Sequence, residues 1–124
     1  MPSQETLNST GQLVLHATLR IDASQIPAFL AALRPAWESC IHEPECLFFD
    51  VSHSPTEPGT FRFVEVWQGD QKWFEDVQAK KEYYVPYLEV TRPMWVGDRE
   101  LVFTERVEGW SFANEAYLEG TIKQ

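Results

Sequence analysis

The sequence predicts an α+β domain of the ferredoxin-like, split βαβ plan, with helices on one face of an antiparallel sheet. Three observations carry that expectation. Near the two ends, LVLHATLRI and ELVFTERV read as strands. Between them, CLFFDVSH and TFRFVEVW flank the turn-rich SPTEPG and read as an antiparallel hairpin. Helical spacing of apolar residues succeeds the first and the third of these runs, so the order is β-α-β-β-α-β.

Residues 1–12 are polar and lack a period, which predicts a flexible leader, with the domain itself over 13–108. From Leu13 to Ile21 the alternation puts Leu13, Leu15, Ala17, Leu19 and Ile21 on one face and Val14, His16, Thr18 and Arg20 on the other. Asp22 and Ser24 suit a helix start, and Ile26, Phe29, Leu30, Leu33 and Trp37 recur at helical spacing through Cys40. Pro27 fits the first turn, whereas Pro35 should kink or shorten the helix. After the hairpin, Gly69 and Asp70 open a second helical segment carrying Trp73, Val77, Tyr84 and Leu88 on one side, and Pro86 and Pro93 break the chain beyond into short or irregular pieces.

With helices on one face, the other face of the sheet needs a cover. Phe48, Phe61, Phe63, Trp67 and Phe103 lie on strands, and at least some are expected to point that way. A symmetric homodimer with facing sheets, a dimeric α/β barrel, would bury them and leave a cavity in each subunit. Residues 109–124 hold Trp110, Phe112 and Tyr117, too aromatic for a solvated tail, and are expected to dock on the partner subunit.

Composition narrows the function. At 124 residues the chain fits one domain. A net charge of −9 disfavours nucleic acid and anionic membrane surfaces, both of which reward clustered Lys and Arg. No apolar run is long enough for a membrane span and the N-terminus lacks a secretory pattern, so a cytoplasmic protein is expected. Cys40 and Cys46 are too few for a disulfide framework and lack companions for a metal site, so they read as reduced thiols. No P-loop, GxGxxG or Ser nucleophile elbow is present, and neither a cofactor nor a metal is expected.

The stretch HEPECLFFDV resembles the acidic-Pro-Gly-Cys turn and aromatic strand of the antibiotic biosynthesis monooxygenase family. TFRFVEVWQGDQKWF is similar to that family's E-x-W strand end and acidic helix start, and the likeness spans roughly residues 13–108. Glu45 stands where the family usually has Gly, and Val77 where many relatives, including the haem-degrading branch, place His. Valine cannot ligate iron or move a proton, which argues against haem degradation by that route. The resemblance implies a dimer that binds a flat phenolic or polycyclic molecule, removes a proton, and lets the substrate's own carbanion reduce O₂ without flavin or metal.

Candidate residues exist for each task. Trp67 shares a strand face with Glu65 and Phe63; its indole is expected either to stack on substrate and donate its N–H, as the resemblance implies, or to fill core. Glu65 reads as a base whose pKa burial would raise, or as half of an ion pair with Arg62 or Arg106. His16, inside the first strand, is expected to face the barrel and ranks ahead of Glu65 as proton acceptor, the alternative being a satisfied interior His. Asp50, sharing a face with Phe48 and Ser52, is expected either to orient His16 or to sit solvated on an edge. Phe48, Phe63, Trp73 and Phe103 are candidate pocket walls, and Tyr83, Tyr84 and Tyr87 offer hydroxyls to a polyphenol or serve as packing. The expected activity is a cofactor-independent monooxygenase acting on an aromatic, polyketide-like or polyphenolic substrate in secondary metabolism. A cyclase or dehydratase of the same fold and a non-catalytic binding module are the alternatives.

Overall fold

Register between the strands decides which side chains meet. The computed structural model describes residues 9–121. Its elements are β1 (Ser9–Arg20), α1 (Ile26–Ile41), β2 (Cys46–His53), β3 (Thr60–Gln68), α2 (Gln71–Asp76), α3 (Tyr84–Thr91) and β4 (Glu100–Val107). The three strand-to-strand pairings are antiparallel and the sheet order is β2-β3-β1-β4, so the α+β ferredoxin-like plan holds. Residues 9–12 belong to β1, so the strand begins four residues before the expected domain boundary; residues 1–8 of the expected leader lie outside the described residues.

Two rows across the sheet define its faces. Phe49, Glu65, Leu15 and Phe103 stand side by side on the face that the helices cover. One residue along, Asp50, Val64, His16 and Val102 form the matching row on the open face. Phe61, Phe63, Trp67 and Phe103 therefore pack under the helices, and of the five aromatics expected on the uncovered side only Phe48 lies there, opposite Val66. Val14, Val64, Val66 and Val102 lie on that open face and are partly or well exposed. The reason is parity: Trp67 lies opposite Leu13, and residues directly opposite one another share a face.

α1 buries Phe29, Leu33, Ala36 and Cys40, a stripe spaced for one helix face, onto the sheet. Phe29 is fully buried with its ring 5.0 Å from that of Phe61. Pro35 does not end the helix, which continues to Ile41. The second helical segment, by contrast, is broken. α2 starts at the Asp70 cap, whose carboxylate accepts from Trp73 N–H at 2.8 Å, and stops at Asp76; a 3₁₀ turn over Gln78–Lys80 precedes α3. Restarting at Tyr84 puts Pro86 in a first turn, where no backbone donor is needed. Val77 sits at the break and is half exposed, not aligned with Tyr84.

After β4 the chain returns to its own sheet. The ring of Tyr117 lies 5.8 Å from that of Phe48 on the open face, and its hydroxyl donates to the Asp50 carboxylate. Trp110 and Phe112 remain 86 % and 87 % exposed in the single chain. No described helix is long and apolar enough to cross a membrane.

The β2–β3 hairpin is anchored by Gly59, whose carbonyl accepts from Ile21 N–H at 2.7 Å. Its φ of +92° is strained for any side chain, and a Cβ there would fall 2.0 Å from the Ile21 carbonyl oxygen. Gly59→Ala is therefore expected to destabilise the fold by more than the ~1 kcal/mol of an ordinary glycine replacement at positive φ. Urea unfolding monitored by circular dichroism measures this.

Candidate active site

Between sheet and helices lies a cavity of about 190 Å³. Leu15, Ala17, Phe63, Leu101 and Phe103 form its floor; Leu33, Ala36 and Trp37 of α1 and Tyr84, Tyr87 and Leu88 of α3 form its roof. The walls are mostly apolar and aromatic, which suits a flat ring. Glu65 and Glu75 are its carboxylates and Arg99, exposed above the Trp95 ring at 5.5 Å, is its one cation among the described residues.

Glu65 is the anomaly. It occupies a buried position in a strand whose neighbours on that face are Phe61, Phe63 and Trp67. Desolvation pushes its pKa up to about 7, against partial relief from the Trp67 hydrogen bond and the distant Arg99 charge. Neither Arg62 nor Arg106 pairs with it: Arg62 Nε donates to Thr18 Oγ1 at 3.2 Å, and Arg106 bonds Ser111 and Gln12. Among the described residues its one direct partner is Trp67, whose Nε1–H donates to Glu65 Oε1 at 3.0 Å.

That bond changes the part assigned to Trp67. The side chain is 0 % exposed, wedged against Trp73 and Phe74, and its N–H is committed to the carboxylate. It fixes the Glu65 carboxylate from behind and is not among the residues that line the cavity.

A second polar group closes the helix side. Cys40 Sγ and Tyr84 Oη are 3.2 Å apart and both line the cavity. Behind them, Gln78 Nε2 donates to Tyr83 Oη at 2.7 Å and to Tyr84 Oη at 2.9 Å, and Tyr83 donates to Glu43 Oε2 at 2.8 Å. Lys81 sits 3.3 Å from the same Glu43 oxygen. Burial pushes the Cys40 and Tyr87 pKa values up to about 12 and that of Tyr84 far above its usual range, so all three are neutral near pH 7.

Of the residues anticipated from sequence, the structure brings Glu65, Phe63, Tyr84, Tyr87 and Phe103 to one cavity. Trp67 and Trp73 stand behind Glu65, and Tyr83 stands behind Tyr84. His16, Phe48 and Asp50 are on the opposite face, because they alternate out of phase with the buried positions. His16 therefore does not share a cavity with Trp67, and Asp50 bonds Tyr117 with the β3 strand between it and His16. Cys40, Gln78 and Arg99 were not foreseen. Cys40 belonged to the helical stripe with Phe29, Leu33 and Ala36, a signal for burial alone, and nothing in the local pattern marked Gln78.

The family model described as antibiotic biosynthesis monooxygenase matches residues 12–83. A protein of Pestalotiopsis microspora that carries a provisional monooxygenase name is 33% identical over 104 residues, covering 84% of this chain and 87% of its own. A provisionally named antibiotic biosynthesis monooxygenase structure from Nitrosomonas europaea superposes with a TM-score of 0.73 at 19% identity, over 82% of this chain and 95% of that one. A similarly named structure from Caulobacter crescentus gives 0.70 at 20%, over 85% and 97%. At those identities the two structures speak for the fold.

A buried carboxyl that prefers its proton links stability to pH. The native pKa is above that of the free side chain, so between about 4.5 and about 7 the folded state holds more protons than the unfolded, and stability falls as pH rises. The full effect is roughly 3 kcal/mol. Glu65→Gln is expected to be more stable than wild type at pH 8 and nearly equal to it at pH 4, as thermal melts at both pH values will reveal.

Proposed function

This chain belongs to the antibiotic biosynthesis monooxygenase family, and on that premise we propose that it is a cofactor-independent monooxygenase acting on a small phenolic or polyketide-like aromatic, with Glu65 as the general base. The observation that carries the reading is a carboxylate with a pKa near 7, held by Trp67 in an aromatic-walled cavity. A base works best when its pKa lies near the operating pH.

The substrate would bring an activated CH₂ beside a ring carbonyl or phenol. Glu65 accepts one proton from that carbon, leaving a carbanion delocalised onto the oxygen. The carbanion gives its electron pair to O₂ and forms a C–O bond; with the second C–H proton lost and the Glu65 proton returned, the peroxide loses water. The sum is R₂CH₂ + O₂ giving R₂C=O + H₂O, with the substrate supplying every electron. The cavity is only slightly larger than the ~150 Å³ void that accepts benzene in an engineered core. That volume suits one or two fused rings, and the exposed Arg99 in the lining would lie toward solvent from them. Such substrates accord with a place in secondary metabolism.

His16 takes a different part. Its row of Val64 and Val102, with Val14 and Val66 nearby, is an apolar strip on a sheet face that helices leave open. A second copy would cover it, giving the homodimeric barrel, with His16 at the seam and away from the chemistry.

Glu65→Gln is expected to lower turnover of an anthrone or naphthol-type substrate by about 10²–10⁴-fold, the range of general bases. Trp67→Phe keeps the ring but removes the donor that favours the carboxylate, so the rise of rate with pH should move to higher pH. Oxygen uptake recorded across pH measures both; proton exchange at the same carbon without oxygen uptake would place the protein with the cyclases instead.

Light scattering is expected to give twice 14.4 kDa for wild type. Val64→Glu, which puts a charge at the centre of the open face, is expected to yield a folded monomer.

A further inference from the structure

The hydrogen-bond chain behind the cavity has a direction, and it ends on an uncommitted proton. Glu43 Oε2, facing Lys81, can only accept, so the single hydroxyl proton of Tyr83 goes to it at 2.8 Å. Tyr83 must then accept from Gln78, which fixes the nitrogen of that amide toward the tyrosines. Both amide hydrogens are used, one on Tyr83 and one on Tyr84 at 2.9 Å. Gln78 is 0 % exposed and cannot turn over without breaking the chain at Tyr83.

Tyr84 consequently accepts from Gln78 and keeps its own O–H to give. The other group within reach among the described residues is the Cys40 thiol at 3.2 Å, a weak acceptor that burial keeps protonated. Tyr84 and Cys40 line the same cavity as Glu65. A hydroxyl that accepts one hydrogen bond is a better donor of another, and in a desolvated site the gain is larger.

We infer that Tyr84 is the donor that receives the substrate's oxygen, displacing the weak Cys40 contact, and that Gln78 is the positioning residue that commits Tyr84 to donating. The ligand class is an aromatic whose ring oxygen gains negative charge, an enolate or phenolate, with Tyr84 on the oxygen while Glu65 takes the proton. No electron moves in this step: one C–H or O–H bond breaks at the ligand and one O–H bond forms at Glu65. The inference rests on the proposed function for what the oxygen becomes, but its test does not need turnover.

The probe is 4-nitrophenol, whose single ring is within the size that the cavity takes and which absorbs differently when neutral and ionised. Binding measured across pH gives the ratio of affinities for the two forms. Hydrogen bonds to charged groups imply that folded Tyr84→Phe lowers the preference for the ionised form by about tenfold to a hundredfold, with much less change for the neutral form. Gln78→Met, which removes the amide but retains Tyr84, should lower it by a smaller factor, and carries the same test if Tyr84→Phe fails to fold. A folded Tyr84→Phe whose ratio equals that of wild type overturns the inference, as does a wild type that does not bind the probe. A lowered ratio in a protein that never consumes oxygen would uphold the donor and count against the monooxygenase reading, so the two fail separately.

Discussion

A carboxylate set on the buried face of a strand is difficult to keep charged, and the hydrogen bond from Trp67 to Glu65 is what the site depends on. The two residues are two apart in β3, so the period of the strand puts both on the helix-covered face and within reach of each other. The indole is itself fully buried and packed against Trp73 and Phe74. A rigid aromatic therefore fixes a carboxyl that would otherwise swing toward solvent or neutralise completely. The balance leaves a group that changes charge near neutrality and faces an apolar cavity. Keeping it there lowers stability at higher pH, a common exchange between stability and activity at buried functional groups.

The rest of the molecule divides labour between the two faces of one sheet. On the covered face the row Phe49, Glu65, Leu15, Phe103 borders the cavity from below, and α1 and α3 roof it. On the other face the row Asp50, Val64, His16, Val102 is left open by the helices and is the one assigned above to the proposed dimer. Tyr117 covers one edge of that surface through Phe48 and Asp50. Because the faces are separated by a single β-layer, the subunit contacts of the proposed dimer and those of the proposed ligand would press on opposite sides of the same backbone.

Much of the fold was legible in the sequence because it rests on periods and punctuation. The bounds of β4 at ELVFTERV and the hairpin around SPTEPG came directly from alternation and turn residues. The expected single helical stripe is instead interrupted between Asp76 and Tyr84, and Pro86, expected to break the chain, sits in the first turn of α3. The candidate site was half legible. Glu65, Phe63 and Trp67 were grouped correctly, since one strand's own alternation fixes their relation. His16 lies on the helix-free face, as the alternation of β1 predicts, whereas Glu65, Phe63 and Trp67 lie on the other one, because which face of β1 meets which face of β3 is set by the register Leu13 opposite Trp67, a long-range pairing that no local pattern records. Gln78 was illegible for a related reason. Its significance lies in Tyr83, Tyr84 and, through them, Glu43, which only the folded chain assembles.

The proposed chemistry stands or falls on the protonation state of one side chain, which can be read without substrate. Carboxyl ¹³C NMR of protein labelled at glutamate, with Glu65→Gln used to assign the resonance, gives its titration directly. A Glu65 carboxyl that titrates at about 7, and still higher in Trp67→Phe, is the predicted result. A midpoint near the ordinary value of 4.5, unmoved by that substitution, would contradict Glu65 as the base.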